Sequence, residues 1–174
     1  MPARAERRDR RSDRGNDRRS DRESISRSED HHALRIWLRL LTCTQLIEGQ
    51  VRSRLRGRFA TTLPRFDLMA QLERHRPGLK MNELSRMLMV TGGNVTAIVD
   101  QLEKEGLVER MDEPADRRAF RIRLTRSGER GFAEMAGAHE EWVVDMLSGL
   151  SRREQDDLLR LLAKAKAHAM EASS

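Results

Sequence analysis

Arg117 and Arg118 stand side by side after an acid, Asp116, and are followed by Arg121 and Arg123 in the stretch DEPADRRAFRIRLT, residues 112–125. Guanidinium groups clustered in this way suit phosphates, which they grip through paired N–H donors. In Phe120-Arg121-Ile122-Arg123-Leu124, apolar and basic residues alternate, which predicts a strand with one greasy and one positive face. Gly106-Leu107-Val108-Glu109-Arg110-Met111 supplies a partner strand, and Asp112, Glu113, Pro114 and Asp116 are turn formers. The expectation is a hairpin with Arg117 and Arg118 at its tip. A narrow cationic tip fits a minor groove, where the potential is most negative. Asp116 is placed to hold Arg118 through a carboxylate pair and leave Arg117 projecting, or the reverse. Arg121 and Arg123 would lie over the nucleic-acid backbone. A solvated hairpin with surface charges has the same local sequence, so the neighbouring elements must decide.

Upstream, Val95, Ile98, Val99 and Leu102 are spaced i, i+3, i+4, i+7, which predicts a helix with one buried face. Thr91 sits at the N-cap position and Gly106 at the stop. The outward positions are then Gly93, Asn94, Thr96, Ala97 and Gln101. A helix enters a major groove only if its leading turns are small, polar and free of acid, and these are. Asn94 suits an adenine edge or a phosphate, and the methyls of Thr96 and Ala97 suit a thymine methyl. Gly92 and Gly93 let the backbone approach and offer N–H groups to a phosphate; they would equally make a sharp turn. A shorter helix precedes them, opened or capped near Asn82 and bearing Leu84, Met87 and Leu88, with Ser85 and Arg86 within reach of phosphates. Before it, Leu79-Lys80-Met81 reads as extended.

The elements that must position these residues are mainly helical. Ile36, Leu40, Cys43, Ile47, Val51 and Leu55 follow one helical strip, and Leu34, Trp37, Leu38 and Leu41 add a second. A helix apolar around most of its girth points to burial between subunits. Gly57 and Thr61-Thr62-Leu63-Pro64 are expected to end it, and Pro64 suits the first turn of the next helix, which carries Phe66, Met69, Ala70 and Leu72. Arg76-Pro77-Gly78 breaks that one. Thr125 caps a further helix, and Ser151-Arg152-Arg153-Glu154 matches a capping box that opens the last.

Length and charge frame this reading. The 174 residues fit one domain, or one domain and a tail. The net charge of +6 suits an anionic partner. Residues 1–29 hold ten arginines against seven acids and almost no large aliphatic residue, so they are expected to be a disordered tail. The single cysteine, Cys43, excludes an intramolecular disulfide or a cysteine-based zinc site within one chain, and the histidines show no metal spacing. No apolar run is long enough to cross a bilayer and no signal peptide is visible, so the expected location is cytoplasmic, without a membrane partner. Nucleophile elbows, phosphate-binding glycine loops and metal pairs are missing from the sequence, which argues against an enzyme.

The stretch LKMNELSRMLMVTGGNVTAIVDQLEKEGLVERMDEPADRRAFRIRLTRSGERGF resembles the winged helix-turn-helix core of the MarR family of transcriptional regulators. Asp116-Arg117-Arg118 followed by Leu124-Thr125 and Gly128 is similar to that family's wing signature. The resemblance implies a mainly α fold with a small β wing. A disordered tail over 1–29 would precede a MarR-like domain over 30–174. Within it, the winged helix-turn-helix lobe would span 63–125, between dimerisation helices over 30–60 and 126–172. It implies a homodimer on double-stranded DNA with a pseudo-palindromic operator, no cofactor, and usually relief of repression by a small ligand. The DNA-binding set expected on these grounds is Ser85, Gly92, Gly93, Asn94, Thr96, Ala97, Asp116, Arg117, Arg118 and Arg121.

LPRFDLMAQLER with LMVTGGNVT is similar to members that control degradation of aromatic acids and respond to aromatic or hydroxycinnamoyl CoA thioesters, which implies an aromatic acid or its CoA thioester as effector. Such an effector needs an apolar slot and cations. Trp37, Leu40, Leu41, Cys43, Phe66 and Met69 are the candidates to line it, with Arg39, Arg54 and Arg65 for charge; each apolar residue is also a candidate for plain core. Two alternatives stay open. One is a nucleic-acid-associated protein that binds without sequence preference through its Arg-rich tail. The other is a repressor that senses oxidants through Cys43, although that residue falls about a turn after the family's sensing cysteine and the chain has no tyrosine to engage it.

Overall fold

The computed structural model describes the backbone of residues 17–89, 91–113 and 116–172 and, within these, the side chains of 31–89, 91–112 and 120–172. The order is α1 (Asp17–Phe59), α2 (Leu63–Arg74), β1 (Leu79–Lys80), α3 (Met81–Leu88), α4 (Gly92–Lys104), β2 (Val108–Glu113), β3 (Asp116–Leu124), α5 (Arg126–Leu147) and α6 (Arg152–Glu171). The chain divides into two compact units, 1–46 and 47–174.

The first unit, where described, is the leading part of α1. The helix begins at Asp17, inside the stretch expected to be a disordered tail; residues 1–16 lie outside the described residues. A helix nucleated by its apolar part propagates cheaply, which accounts for its reach into this stretch. Leu34, Ile36, Trp37, Leu38, Leu41 and Leu46 are exposed along this segment.

The second unit holds the core. Val51 and Leu55 from the end of α1 join Phe66, Leu68, Met69 and Leu72 of α2, Leu84 of α3, Val95, Val99 and Leu102 of α4, Val108, Ile122 and Leu124 of the sheet, and Met135 of α5. Each such side chain contributes about 1.5–3 kcal/mol when fully buried. Gly57 does not end α1; the helix runs to Phe59 and Ala60 takes the left-handed conformation after it. Pro64 lies in the first turn of α2.

The sheet has strand order β1-β3-β2, all antiparallel. Its register pairs Leu79 with Ile122 and Val108 with Leu124. Alternation therefore turns Val108, Ile122 and Leu124 inward. The register shifts between Asp112 and Glu113, where β3 passes through Arg117 and Arg118; such irregularities bend a ribbon and strengthen its twist.

Two junctions fix the lobe's ends. Gly106, at φ +71°, lets Leu107 N–H reach back to Leu102 O at 2.9 Å, which closes the end of α4. Thr125 then ties α5 to that closure: its hydroxyl donates to Gly106 O at 2.7 Å and accepts from Gly128 N–H at 3.0 Å. At the far end Ser151 and Glu154 form the expected reciprocal cap of α6.

Candidate nucleic-acid interface

α3 and α4 meet at a tight turn in which Met89 has a left-handed backbone, φ 52°. α3 opens one residue earlier than expected: Lys80 is at its N-cap position and Lys80 N–H donates to Glu83 Oε2 at 2.7 Å, so Asn82 lies inside the helix and is not its cap. Thr91 occupies the N-cap position of α4 without a side-chain bond to the helix. The first turn of α4 thus keeps N–H groups open to an outside acceptor.

α4 has two sharply different sides. Val95, Val99 and Leu102 are buried and Ile98 is half-buried, whereas Gly92, Gly93, Asn94, Thr96, Ala97 and Gln101 are exposed. Thr96, itself exposed, donates its hydroxyl to Gly92 O at 3.0 Å, which leaves the hydroxyl oxygen free to accept. Ser85 is half-buried and donates to Met81 O at 3.1 Å. A Cβ on Gly92 would lie 3.8 Å from Ser85 Oγ, so the two helices are within van der Waals reach there. Met81, Asn82, Ser85, Arg86, Gly92, Thr96, Arg110 and Phe120 line an open groove between α3, the start of α4 and the sheet.

The acids on the rear half of α4 and at its C-cap are each held by an arginine. Arg110 on β2 pairs with both Asp100 and Glu103, and its guanidinium carbon is 5.2 Å from the Phe120 ring centroid. Arg65 on α2 makes a two-point pair with Glu105, one arm at 2.9 Å. Sequence reasoning passed over Arg110; its one visible signal is the pair of acids three residues apart on the α4 face opposite it.

The strand arginines are more tethered than alternation implied. Arg121 is half-buried and donates from Nη1 to Gly78 O at 3.1 Å, bracing β1 against β3. Arg123 pairs with Glu109 across the ladder at 2.5 Å. Neither lies on the outer face simply as a phosphate contact. The side chains of Asp116, Arg117 and Arg118 fall outside the described residues, and so does the expected Asp116 pairing.

The candidate effector residues do not behave as one set. Phe66 and Met69 belong to the core, with the Phe66 ring 5.5 Å from Phe132 and 5.0 Å from His139. Arg65 is committed to Glu105; Arg54 pairs with Asp145 at 3.4 Å and lies over Trp142. These four are therefore structural in this conformation, because aromatic packing and ion pairing use them first. Trp37, Arg39, Leu41 and Cys43 are exposed and Leu40 is half-buried.

Asp67, half-buried on α2, has its carboxyl pushed above the ordinary range by burial and then by Glu48, while His139 works the other way. No group of metal-binding side chains occurs among the described residues, and no helix among them is long and apolar enough to cross a membrane.

Comparison with known proteins agrees with this geometry. The family model described as "MarR family" matches residues 61–120, which contain α3, α4 and most of the wing. An uncharacterised HTH-type transcriptional regulator of Bacillus subtilis, YkoM, is 34% identical over 90 residues, a stretch that spans 52% of this chain and 58% of the relative. The crystal structure of a MarR family transcriptional regulator from Silicibacter pomeroyi is 31% identical, with a TM-score of 0.66 over 84% of this chain and 98% of that one. Sco3205 of Streptomyces coelicolor, solved in complex with DNA, shares the fold at 24% identity, with a TM-score of 0.66 over 75% and 83% of the two chains. With a winged helix-turn-helix lobe of matching order and a relative of nearly full coverage, the chain belongs to the MarR family of transcriptional regulators.

Proposed function

We propose that this protein is a homodimeric, sequence-specific DNA-binding regulator of the cytoplasm, acting at a pseudo-palindromic operator as a repressor that a small ligand releases. The observation that carries the reading is the face of α4. Its leading turns present Gly92, Gly93, Asn94, Thr96 and Ala97 to solvent, with no acid among them and the aliphatic side buried. Such a face admits close approach to base edges. Sco3205, which has the same fold, was solved in complex with DNA, which supports DNA as the partner. Arg117 and Arg118 are assigned to the minor groove and Ser85, with Arg86, to the flanking phosphates.

For the ligand, exposed Trp37 and Leu41, with Arg39 near them in the sequence, support an aromatic anion such as an aromatic acid or its CoA thioester. Such a compound is expected to raise the melting temperature and to release bound DNA.

Selection of duplexes from a random pool by the full-length protein, followed by footprinting, tests the central claim. A symmetrical protected tract is expected. Arg117→Ala or Arg118→Ala is expected to weaken binding to the selected duplex by about 1–3 kcal/mol each, with the fold retained. Affinity should also fall steeply as salt rises, because each phosphate contact releases counterion. Unaltered affinity in both variants removes the wing from the interface, and failure to enrich any duplex removes the function.

A further inference from the structure

Arg110 joins three elements through one planar group. It stands on β2 opposite Ile122 of β3. Its Nη1 donates to Glu103 and its Nη2 to Asp100, carboxylates three residues apart and so on one side of α4. The same guanidinium lies over Phe120, on the stretch of β3 that leads from the wing. Its Nε is buried without a hydrogen-bond partner. A buried donor left unsatisfied is costly, and an apolar junction of similar volume is often as stable as an ionic one. What the fork adds is one geometry: two acceptors and a ring face fix it in direction as well as distance.

We propose that Arg110 is a positioning residue for DNA binding. It locks α4 to the wing so that the reading helix and Arg117 enter neighbouring grooves as one rigid unit. This rests on the DNA-binding reading above and adds a residue that touches no DNA. The consequence is energetic coupling. With the junction intact, contacts made by α4 hold the wing in place and the reverse. With it broken, each must be ordered separately, and the contribution of Arg117 shrinks.

The test uses full-length protein and a duplex selected by the wild type. Affinities are measured for Arg110→Met, Arg117→Ala and the double variant, with thermal melts as a check of folding. Arg110→Met is expected to weaken binding roughly ten-fold, and Arg117→Ala to cost at least about three-fold less in the Arg110→Met background than in the wild type. Asp100→Asn with Glu103→Gln keeps the arginine but weakens its acceptors and is expected to reproduce that coupling. Arg110→Lys keeps the charge without the fork and is expected to do so too, which separates positioning from mere neutralisation of the two acids. If Arg110→Met does not fold, these two backgrounds decide. Additive effects of Arg117→Ala in every folded background overturn the proposal while leaving DNA binding intact. A wild type that selects no duplex overturns the reading beneath it, and the proposal falls with it.

Discussion

A Cβ built on Gly93 meets nothing within 4 Å. Nor does its backbone require glycine, since the positive-φ glycines among the described residues are Gly78 and Gly106. Neither Gly92 nor Gly93 has a positive φ, so the backbone does not require glycine at either place; the proposed close approach of DNA to α4 supplies a reason for them. Gly93→Ala is accordingly expected to raise stability by up to about 1 kcal/mol, the alanine advantage within a helix, while weakening binding to a selected duplex. Gly128 is the converse case. A Cβ there would fall 1.9 Å from Leu107 O, backbone against backbone, with no flexible side chain to yield. Gly128→Ala is expected to cost about 1–3 kcal/mol or more, as overpacking does. Denaturant unfolding of both variants checks the contrast; stability changes of the same sign would sink it. Thr125 as a cap was legible from its place before an apolar-periodic run. The contact of Gly128 with Leu107 was not, because it forms only when the end of α4 and the start of α5 are brought together.

Among the elements, α4 was the most legible, because its i, i+3, i+4, i+7 pattern fixes both faces at once. Alternation likewise gave β3 its inner side, Ile122 and Leu124. It could not say where the outer arginines end: Arg121 on the carbonyl of Gly78 and Arg123 on Glu109 are cross-element contacts that spacing within a strand does not encode. The same holds for the packing of α2, where Asp67 faces Glu48 of α1 and His139 of α5. Burial is the main cause of its raised pKa, with Glu48 second and His139 opposing. A carboxyl raised in the folded state contributes stability that is complete below the unfolded value near 4 and is lost as pH rises through the folded value. At neutral pH the ionised group is thus a liability. Asp67→Asn is expected to raise the melting temperature at pH 7 and to lose that advantage as the medium is brought to about pH 4. A variant that melts lower than the wild type at pH 7 would show that the carboxylate is held by an attraction stronger than its burial cost.

For the whole molecule, α6 contains no buried residue, yet Leu158, Leu161 and Leu162 lie one turn apart and are 38%, 53% and 39% exposed. In the first unit, Leu34, Trp37, Leu38 and Leu41 repeat that spacing on α1 and are exposed as well. Leucines at helical period stabilise nothing while facing water, and helices of this length are marginal without a packed face. A second copy of the chain is the partner the family resemblance implies and the one that gives two DNA-reading lobes for two half-sites. The over-apolar start of α1 is the sequence feature that points to such a partner, and the helical reach back to Asp17 lies in a stretch whose composition resembles a solvated tail. Each interface leucine is worth about 1.5–3 kcal/mol on full burial, so Leu158→Glu with Leu162→Glu is expected to weaken the dimer by several orders of magnitude. Sedimentation equilibrium should then find single chains at micromolar concentration, while the lobe, whose core shares none of these residues, keeps its near-native melting behaviour. Affinity for a full operator should collapse toward that of one lobe on one half-site. A variant that sediments as a dimer and protects the same symmetrical tract would mean that α6 is not the clasp, and the assembly would have to be rebuilt on the exposed strip of α1 alone.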